Sequence, residues 1–358
     1  MRFYHIAVIP GDGIGQEVMP EGLKALNVAA ELTGGFRLEY ETFPWGCERY
    51  LAHGALMPED GLQILAGFDA IYFGAVGWPR VPDHVSLWGL RLPICQSFDQ
   101  YANLRPSVLL PGVSGPLRDK RPGDIDFVVV RENTEGEYAG AGGRGHRGFP
   151  LEVAVETAIF TRAGVERVIR YAFGLAASRP RKRLASVTKS NAQRYSMTLW
   201  DEVFEAVAAE YPGVTTERVL VDAMAARFVL KPESLDVVVA SNLFADILTD
   251  LGGAVVGGLG LAPSANINPE RRYPSMFEPV HGSAPDIFGR GIANPIAMVW
   301  SGALMLDFLG EQAAAARIEA AIKATLAAGR VRTPDLGGQA TTAQMGDAIV
   351  AALHAAAG

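Results

Sequence analysis

Two aspartates four residues apart have the type and spacing best suited to chemistry. Asp246 and Asp250 lie in a segment whose apolar spacing predicts a helix over residues 243–256. Positions i and i+4 share one helix face, so the two carboxylates repel each other unless a cation lies between them. Hard oxygen ligands of this kind suit Mg²⁺ or Mn²⁺. From the spacing alone a solvated acidic face is the stronger interpretation, but the other helix residues are almost all apolar and weaken it.

A second group of polar residues follows or flanks apolar, strand-like runs: Arg105, Arg131, Tyr138 and Lys189. Open α/β sheets bind ligands just outside their strand ends. The planar guanidinium group of arginine matches a carboxylate in two-point contacts. The alternatives are a surface salt bridge for any single arginine and a solvated side chain for Lys189.

A glycine-rich turn comes directly after the first predicted strand. Gly11, Gly13 and Gly15 precede a predicted helix. Glycines allow a ligand to approach the backbone, and a helix N-terminus favours anions. The spacing G-x-G-x-G departs from the dinucleotide fingerprint G-x-G-x-x-G, and no acidic residue follows at the expected distance. Ligand contact and a plain tight turn are therefore equally good interpretations.

The segment EPVHGSAPDIFG at 278–289 contains many turn-forming and small residues without helical or strand periodicity. This pattern predicts a long ordered loop over a ligand. Asp286 could accept hydrogen bonds from a ribose diol and would repel a 2′-phosphate, which favours NAD over NADP. His281 is either a ligand contact or a satisfied structural histidine.

Short apolar runs alternate with helix-period segments along most of the chain. This alternation predicts an α/β sheet with helices on both faces, and a run such as 237–239 fits a strand buried on both sides. The Gly-rich segment 136–150 is predicted to be a protruding loop or arm. The predicted strands are 6–9, 36–43, 70–73, 126–130, 154–160, 184–188, 219–221 and 237–240. The predicted helices are 16–32, 58–66, 164–177, 196–210, 243–256, 295–309, 311–327 and 342–356.

The composition is that of an ordinary globular protein, with 358 residues of which 49% are hydrophobic and 20% charged. A formal net charge of −7 argues against a general nucleic-acid binder. Only Cys47 and Cys95 occur, without a paired motif, which predicts a reduced, cytoplasmic protein. The longest apolar stretch, 292–309, is interrupted by polar residues and proline, so no membrane association is expected.

Taken together and in this order, these segments resemble the β-decarboxylating dehydrogenase family of isopropylmalate, isocitrate, D-malate and tartrate dehydrogenases. The resemblance covers nearly the whole chain, and the combination of motifs is highly specific. The segments that carry it are PGDGIG at 10–15, NLRP at 103–106, RENTEG at 131–136, TKSN at 188–191, VDA at 221–223, SNLFADI at 241–247, EPVHGSAPDIFG at 278–289 and IANP at 292–295.

The resemblance implies a two-domain isopropylmalate/isocitrate dehydrogenase-like fold, with a large mixed sheet flanked by helices. This fold is not a Rossmann domain, which accounts for the missing glycine fingerprint. Residues 1–103 and 257–358 would form the first, cofactor-binding domain, and residues 104–256 the second. The family also implies a homodimer with shared active sites, to which an arm near 136–150 contributes.

The roles of the family's catalytic residues transfer to matching positions of this chain. Arg105 and Arg131 would bind a substrate carboxylate. Lys189 of the neighbouring subunit would take the hydroxyl proton, and Tyr138 would deliver a proton to the enol carbon after decarboxylation.

The family also implies a metal and a dinucleotide. Asp246 and Asp250, with the neighbouring subunit's catalytic Asp222, would bind Mn²⁺ or Mg²⁺, and K⁺ is a further candidate ion. NAD would contact two loops, through Ala75, Val76 and Gly77 near the nicotinamide and through His281, Gly282, Ser283, Ala284, Asp286 and Asn294 on the adenosine side.

The expected substrate depends on the segment before Arg105. Isopropylmalate and isocitrate enzymes carry a further arginine ten positions earlier, where this chain has Cys95 followed by Gln96. SLWGLRLPICQ at 86–96 and FDQYAN at 98–103 are most similar to the tartrate-oxidising members, and D-malate enzymes share DQY. The resemblance therefore implies NAD- and metal-dependent oxidation of tartrate and D-malate, small dicarboxylate 2-hydroxy acids, with or without β-decarboxylation.

Cys95 in place of an arginine predicts a looser hold on the carboxylate that leaves as CO₂, unless Arg91 supplies the missing charge. One alternative is 3-isopropylmalate oxidation, which requires an apolar pocket. Another is a non-catalytic regulatory subunit of the same family, which predicts the loss of metal or base residues.

Overall fold

The computed structural model describes residues 1–356, and its centre is a single ten-stranded sheet. The strand order is β2-β1-β3-β12-β11-β4-β5-β10-β8-β9, and β6 pairs with β7 in a separate two-stranded ribbon. The strands are β1 (Arg2–Gly11), β2 (Phe36–Thr42), β3 (Ala70–Ala75), β4 (Ala102–Val108), β5 (Asp126–Glu132), β6 (Gly136–Gly145), β7 (Val153–Ile159), β8 (Arg183–Thr188), β9 (Thr215–Leu220), β10 (Val237–Ala240), β11 (Pro263–Ile267) and β12 (Ser275–Pro279).

Helices cover both faces of the sheet. A π-helical turn at Leu87–Arg91 joins α4 to α5, and 3₁₀ turns lie at Pro232–Ser234, Leu259–Leu261 and Pro334–Leu336. The helices are α1 (Gly15–Thr33), α2 (Cys47–His53), α3 (Gly61–Leu65), α4 (Asp83–Ser86), α5 (Leu92–Ser97), α6 (Arg162–Ser178), α7 (Ser196–Ala208), α8 (Val221–Leu230), α9 (Asn242–Val255), α10 (Ile296–Leu309), α11 (Gln312–Ala328) and α12 (Thr342–Ala355). None of the helices in residues 1–356 has both the length and the apolar character to cross a membrane.

The large sheet is mixed, as predicted. β4 is antiparallel to both of its neighbours, β5 and β11, and β11 is antiparallel to β12, whereas the outer strands pair in parallel. All residues of β3 and β10 are buried, as expected for strands covered on both faces. Alternate residues of β1 enter different hydrophobic cores, Ile6 and Val8 on one face and Ala7 and Ile9 on the other.

Strands from the two chain ends lie on one side of β4, and strands from the middle of the chain lie on the other. The predicted boundary between residues 103 and 104 falls within β4. One continuous hydrogen-bonded sheet thus connects the two predicted parts.

Three predictions of local structure were wrong or incomplete. Residues 136–145 form strand β6, not a loop, and the predicted strand 154–160 is its exposed ribbon partner β7. Val221, predicted to end a strand, begins α8, so Asp222 lies in the first turn of a helix. Strands β4, β11 and β12 and helices α2, α4, α5 and α8 were not predicted.

Candidate functional site

A cavity of about 190 Å³ opens beside the ends of β3, β5 and β12 and the N-terminal half of α9. It brings together residues from six separate segments of the chain. Its lining comprises Phe73, Gly74, Ala75, Val76, Leu87, Arg91, Arg105, Arg131, Tyr138, Asp246, Glu278, Pro279, Val280, His281 and Gly282. Eight of the predicted site residues are among them: Ala75, Val76, Arg105, Arg131, Tyr138, Asp246, His281 and Gly282.

The carboxylate of Asp246 lies between two arginines. Its Oδ1 accepts a hydrogen bond from Arg105 Nη1 at 3.2 Å and another from Arg131 Nη1. Burial raises the pKa of Asp246, but the positive charges of Arg131 and Arg105 outweigh that effect and bring the pKa to about 2. Burial, with repulsion from Arg131, lowers the pKa of Arg105 to about 10. The carboxylate is therefore ionised, and the arginines that face it are fixed in the cavity.

Three residues that were not predicted to belong to the site accept hydrogen bonds from the guanidinium groups of Arg105 and Arg131. Arg131 donates from Nε and Nη2 to Asn242 Oδ1, at 3.0 and 2.6 Å. Arg105 donates from Nε to Asn103 Oδ1 and from Nη1 to Thr249 Oγ1, at 2.8 and 2.7 Å. Asn242 and Thr249 are on α9 with Asp246, so this helix positions the guanidinium groups and their counterion together.

Glu137 attaches the start of α9 to β6. Its two carboxylate oxygens accept hydrogen bonds from Ser241 Oγ at 2.9 Å and from the main-chain N–H of Leu243 at 3.1 Å. A negative charge at a helix N-terminus satisfies free N–H groups and interacts favourably with the helix dipole. The polar run after β5 had indicated a site but did not distinguish this capping residue from its neighbours.

Tyr138, on β6, closes the cavity next to Asp246. Its hydroxyl donates to Asp246 Oδ2 at 2.9 Å, and the Arg131 guanidinium lies 5.4 Å from the centre of its ring. Burial and the neighbouring Asp246 charge raise the pKa of Tyr138. The residue therefore holds its proton as a neutral phenol, which a proton donor requires.

Arg91 supplies a third guanidinium group to the cavity, which was the open alternative to a missing charge at Cys95. The residue lies at the end of the π-helical turn, where it donates to Glu278 Oε1 from Nε at 2.8 Å and to Asn266 Oδ1 from Nη2 at 3.2 Å. Cys95 is fully buried behind it and does not line the cavity. Burial raises the pKa of the Cys95 thiol to about 11, so it is neutral. A π-helical turn changes the direction of the residues after it, and sequence spacing does not show this change.

The predicted metal ligands are in two separate places in one chain. Asp250 lies one helical turn after Asp246. Burial raises the pKa of Asp250, and so does repulsion from Asp246, although the positive charge of Arg105 acts in the opposite direction. Asp222 lies away from this pair and accepts a hydrogen bond from Lys189 Nζ at 2.5 Å. Within residues 1–356, no group of three or more His, Cys, Asp or Glu side chains is arranged to hold a metal. Of the three predicted carboxylates, only Asp246 lines the cavity within one chain, and Asp250 is exposed one helical turn away.

The glycine-rich turn contacts protein backbone. A Cβ added at Gly11 would lie 1.8 Å from the carbonyl oxygen of Ala75, and one at Gly13 would lie 2.1 Å from that of Ser283. Ile14 N–H donates to the Ser283 carbonyl at 2.8 Å, and Asp12 Oδ2 accepts from Gly77 N–H at 2.9 Å. The tight-turn interpretation is thus the better one. The turn holds the two loops predicted to bind a dinucleotide.

The predicted adenosine contacts lie on or near the 278–289 loop. His281 Nε2 is a buried atom without a hydrogen-bond partner in the described residues, and burial lowers the pKa of the ring. Ser283 is buried, Ala284 is partly buried, and Asp286 is exposed. Asn294 uses its side chain within the protein, donating to Asp335 Oδ2 at 2.9 Å and accepting from Ile296 N–H at 3.0 Å. The loop thus offers a ring nitrogen without a partner in the described residues and, five positions later, an exposed carboxylate, and both suit a hydrogen-bonding ligand.

Comparison with known proteins shows full-length similarity to dehydrogenases. Residues 5–349 match the family model described as isocitrate/isopropylmalate dehydrogenase. The chain is 60% identical over 353 residues to a "Probable tartrate dehydrogenase/decarboxylase" of Agrobacterium vitis, covering 99% of this chain and 98% of the relative. It is 58% identical to the decarboxylating D-malate dehydrogenase of Escherichia coli, covering 98% of each.

A solved structure agrees with these relatives. The crystal structure of isocitrate dehydrogenase from Methylococcus capsulatus matches with a TM-score of 0.87 at 36% identity, covering 98% of this chain and 99% of that chain. Both relatives are named as dehydrogenases, so the chain is an enzyme, and the non-catalytic alternative is wrong. The chain belongs to the isocitrate/isopropylmalate dehydrogenase family.

Proposed function

We propose that this enzyme oxidises tartrate and D-malate with NAD and a divalent metal ion, with or without loss of the β-carboxylate as CO₂. The observation that carries the proposal is the convergence of Arg91, Arg105 and Arg131 on one small cavity next to Asp246 and Tyr138. Three guanidinium groups suit a small substrate with two carboxylates, because each planar fork can bind one in two contacts. The names of the tartrate and D-malate relatives support the same substrate class.

In the proposed reaction, the arginines bind the substrate carboxylates and orient the hydroxyl-bearing carbon. Lys189 of a second copy takes the hydroxyl proton, with Asp222 beside it. The phenol of Tyr138 gives its proton to the enol carbon once CO₂ has left. A cleft that holds these groups in place lowers the barrier by positioning them before reaction.

Asp246 and Asp250 would hold Mn²⁺ or Mg²⁺ together with Asp222 of the second copy, and the all-carboxylate donor set suits such hard cations. When bound, the metal would supply Lewis-acid polarisation of the substrate oxygen. Ala75, Val76, Gly77 and residues 281–286 would hold NAD, which accepts the hydride, and the unpartnered His281 Nε2 supports this placement. The exposed Asp286 carboxylate disfavours a 2′-phosphate, and Asn294 would contact the adenosine half of NAD.

The separation of Lys189 and Asp222 from the cavity supports a homodimer with shared sites. The ribbon of β6 and β7 and the loop that joins them expose apolar side chains, including Val155 on β7 and Phe149 and Leu151 in the loop, that would be covered in such a dimer. We also propose that the two domains meet at 103/104 and at 256/257. The proposed location of the enzyme is the cytoplasm.

The test is a spectrophotometric panel that follows NADH formation. The substrates are the tartrate stereoisomers, D-malate, 3-isopropylmalate and isocitrate, each with and without Mn²⁺ and K⁺, and with NADP in parallel. Metal-dependent NADH formation with tartrate and D-malate is expected. Turnover of 3-isopropylmalate alone would favour the apolar-pocket alternative, and turnover without added metal after chelation would contradict the metal assignment.

A further inference from the structure

The ribbon that carries Tyr138 has a local irregularity at that residue. Gly136 pairs with Ile159, but the next paired residue is Ala141 with Thr157, so the register shifts between them. In the described chain, residues 137–140 have no paired partner on β7. A bulge of this kind redirects side chains and is common next to active sites. Here it aims the Tyr138 phenol at Asp246, but it also removes the cross-strand pairing that would hold the backbone.

A side chain from another segment holds that backbone in place. Gln96, on α5, donates from Nε2 to the main-chain oxygen of Tyr138 at 3.0 Å. The hydrogen bond is partly buried, and a buried carbonyl without a partner is costly. Gln96 therefore satisfies the backbone of the residue whose phenol lies in the cavity.

Packing two residues further along β6 strengthens the same attachment. Gly140 packs against the indole of Trp88, and a Cβ there would be 2.5 Å from Trp88 Cη2. Trp88 belongs to the π-helical turn that also carries Leu87 and Arg91 into the cavity. The π-helical turn thus positions both Arg91, which is proposed to bind the substrate, and the bulged strand β6.

We propose that Gln96 is a positioning residue for Tyr138, holding the bulged backbone of β6 so that the phenol meets the reacting carbon. The inference rests on the proposed function. After the C–C bond to the carboxylate breaks, its electron pair remains in the enolate. The enolate carbon then forms a C–H bond with the proton of the Tyr138 hydroxyl, which restores the ketone, and the resulting phenolate regains a proton from water. A displacement of about 1 Å at such a group can lower the rate up to a hundredfold.

The experiment is a double-mutant cycle on D-malate oxidation with NAD and Mn²⁺. Gln96→Leu removes the donor, and Gln96→Glu keeps the size of the side chain while replacing the amide with an acceptor. Both are expected to lower kcat about tenfold and to change KM by less than about twofold, because the carboxylate-binding arginines are untouched. In a Tyr138→Phe background the same changes are expected to lower kcat by less than about twofold, because Gln96 acts through that phenol.

The matched control is Gln100→Leu. Gln100 also donates its amide to a main-chain carbonyl, that of Pro274 at 2.8 Å, but it does not touch β6. This variant is expected to lower the melting temperature without the loss of kcat. Equal losses of kcat for Gln96→Leu in both backgrounds, or an unchanged kcat in the single variant, would overturn the inference while leaving the proposed function intact. An inactive wild-type enzyme would overturn both.

Discussion

The cavity beside α9 and the Lys189–Asp222 pair differ in how completely one chain satisfies their charges. In the cavity, both oxygens of Asp246 are occupied, and Arg131 in turn is held by Asn242. The Lys189 and Asp222 side chains are 28% and 65% exposed and are joined by one ion pair. The first region is positioned by its own chain, whereas the second remains available to another molecule. This difference is the physical basis for proposing that two copies combine these regions into one site.

The largest expected effect comes from inactivating one region in one copy of the chain and the other region in a second copy, and then mixing the two. Lys189→Met and Asp246→Asn are each expected to lower kcat about a thousandfold, because each removes a group that acts on protons or metal. If sites are shared, a refolded mixture of the two variants contains sites with both groups intact. We expect that mixture to regain a substantial fraction of wild-type activity in a steady-state assay.

The control for this mixture combines Lys189→Met with Asp222→Asn. Both changes lie in the same exposed region, so no mixed site is complete and no recovery is expected. Absence of recovery in the first mixture as well would mean that each chain builds its own site.

A smaller effect is expected within the cavity, from Arg91→Met. Removing a charged hydrogen-bonding group that contacts substrate should lower kcat/KM for D-malate about thirtyfold, mainly through KM. Arg218→Met is the matched control, because Arg218 lies on exposed β9 and pairs with Asp201 at 3.1 Å. Equal kinetics in the two variants would show that Arg91 has only a structural role. Cys95→Arg is a poorer test, since it buries a charge behind the cavity.

The smallest expected effect is a difference in the pH dependence of stability. Glu132 follows Arg131 at the end of β5, and burial raises its pKa to about 7. A carboxyl with a raised folded pKa stabilises the fold most below its unfolded pKa, and this contribution is lost as pH rises toward 7. The Tm of the wild-type protein should therefore fall between pH 5 and 7.5. We expect this fall to be about 3 °C smaller in Glu132→Gln. Asp222→Asn, in the exposed region, should leave the decline unchanged when followed by circular dichroism.

The parts of the fold that sequence predicted well are those where burial dominates. β3 and β10 are fully buried apolar runs, and the long amphipathic helices α1, α6 and α9 were placed within one or two residues. β4, β11 and β12 contain proline and several polar residues, so they lack a continuous apolar run, and they cross the middle of the sheet next to the cavity. β6 is glycine-rich because its backbone contacts other backbone and an indole ring.

The candidate site was predictable where residue type determined the role, and less so where backbone geometry did. Paired carboxylates and arginines beside apolar runs made Asp246, Arg105 and Arg131 candidates, and the family resemblance then implied their roles. Arg91 could not be placed, because a π-helical turn has no sequence period. Asn242 and Glu137 were not identified, since their functions are hydrogen bonds to neighbours that only the folded chain brings close.

The exposed ribbon of β6 and β7 has a consequence for handling the protein. A two-stranded ribbon is marginally stable in water by itself, and every residue of β7 is exposed. Apolar strand edges of this kind recruit other chains without specificity when their proper neighbour is absent. Specific activity should therefore fall on dilution before the fold itself is lost. An activity assay across a dilution series, with circular dichroism to follow the fold, would detect this change.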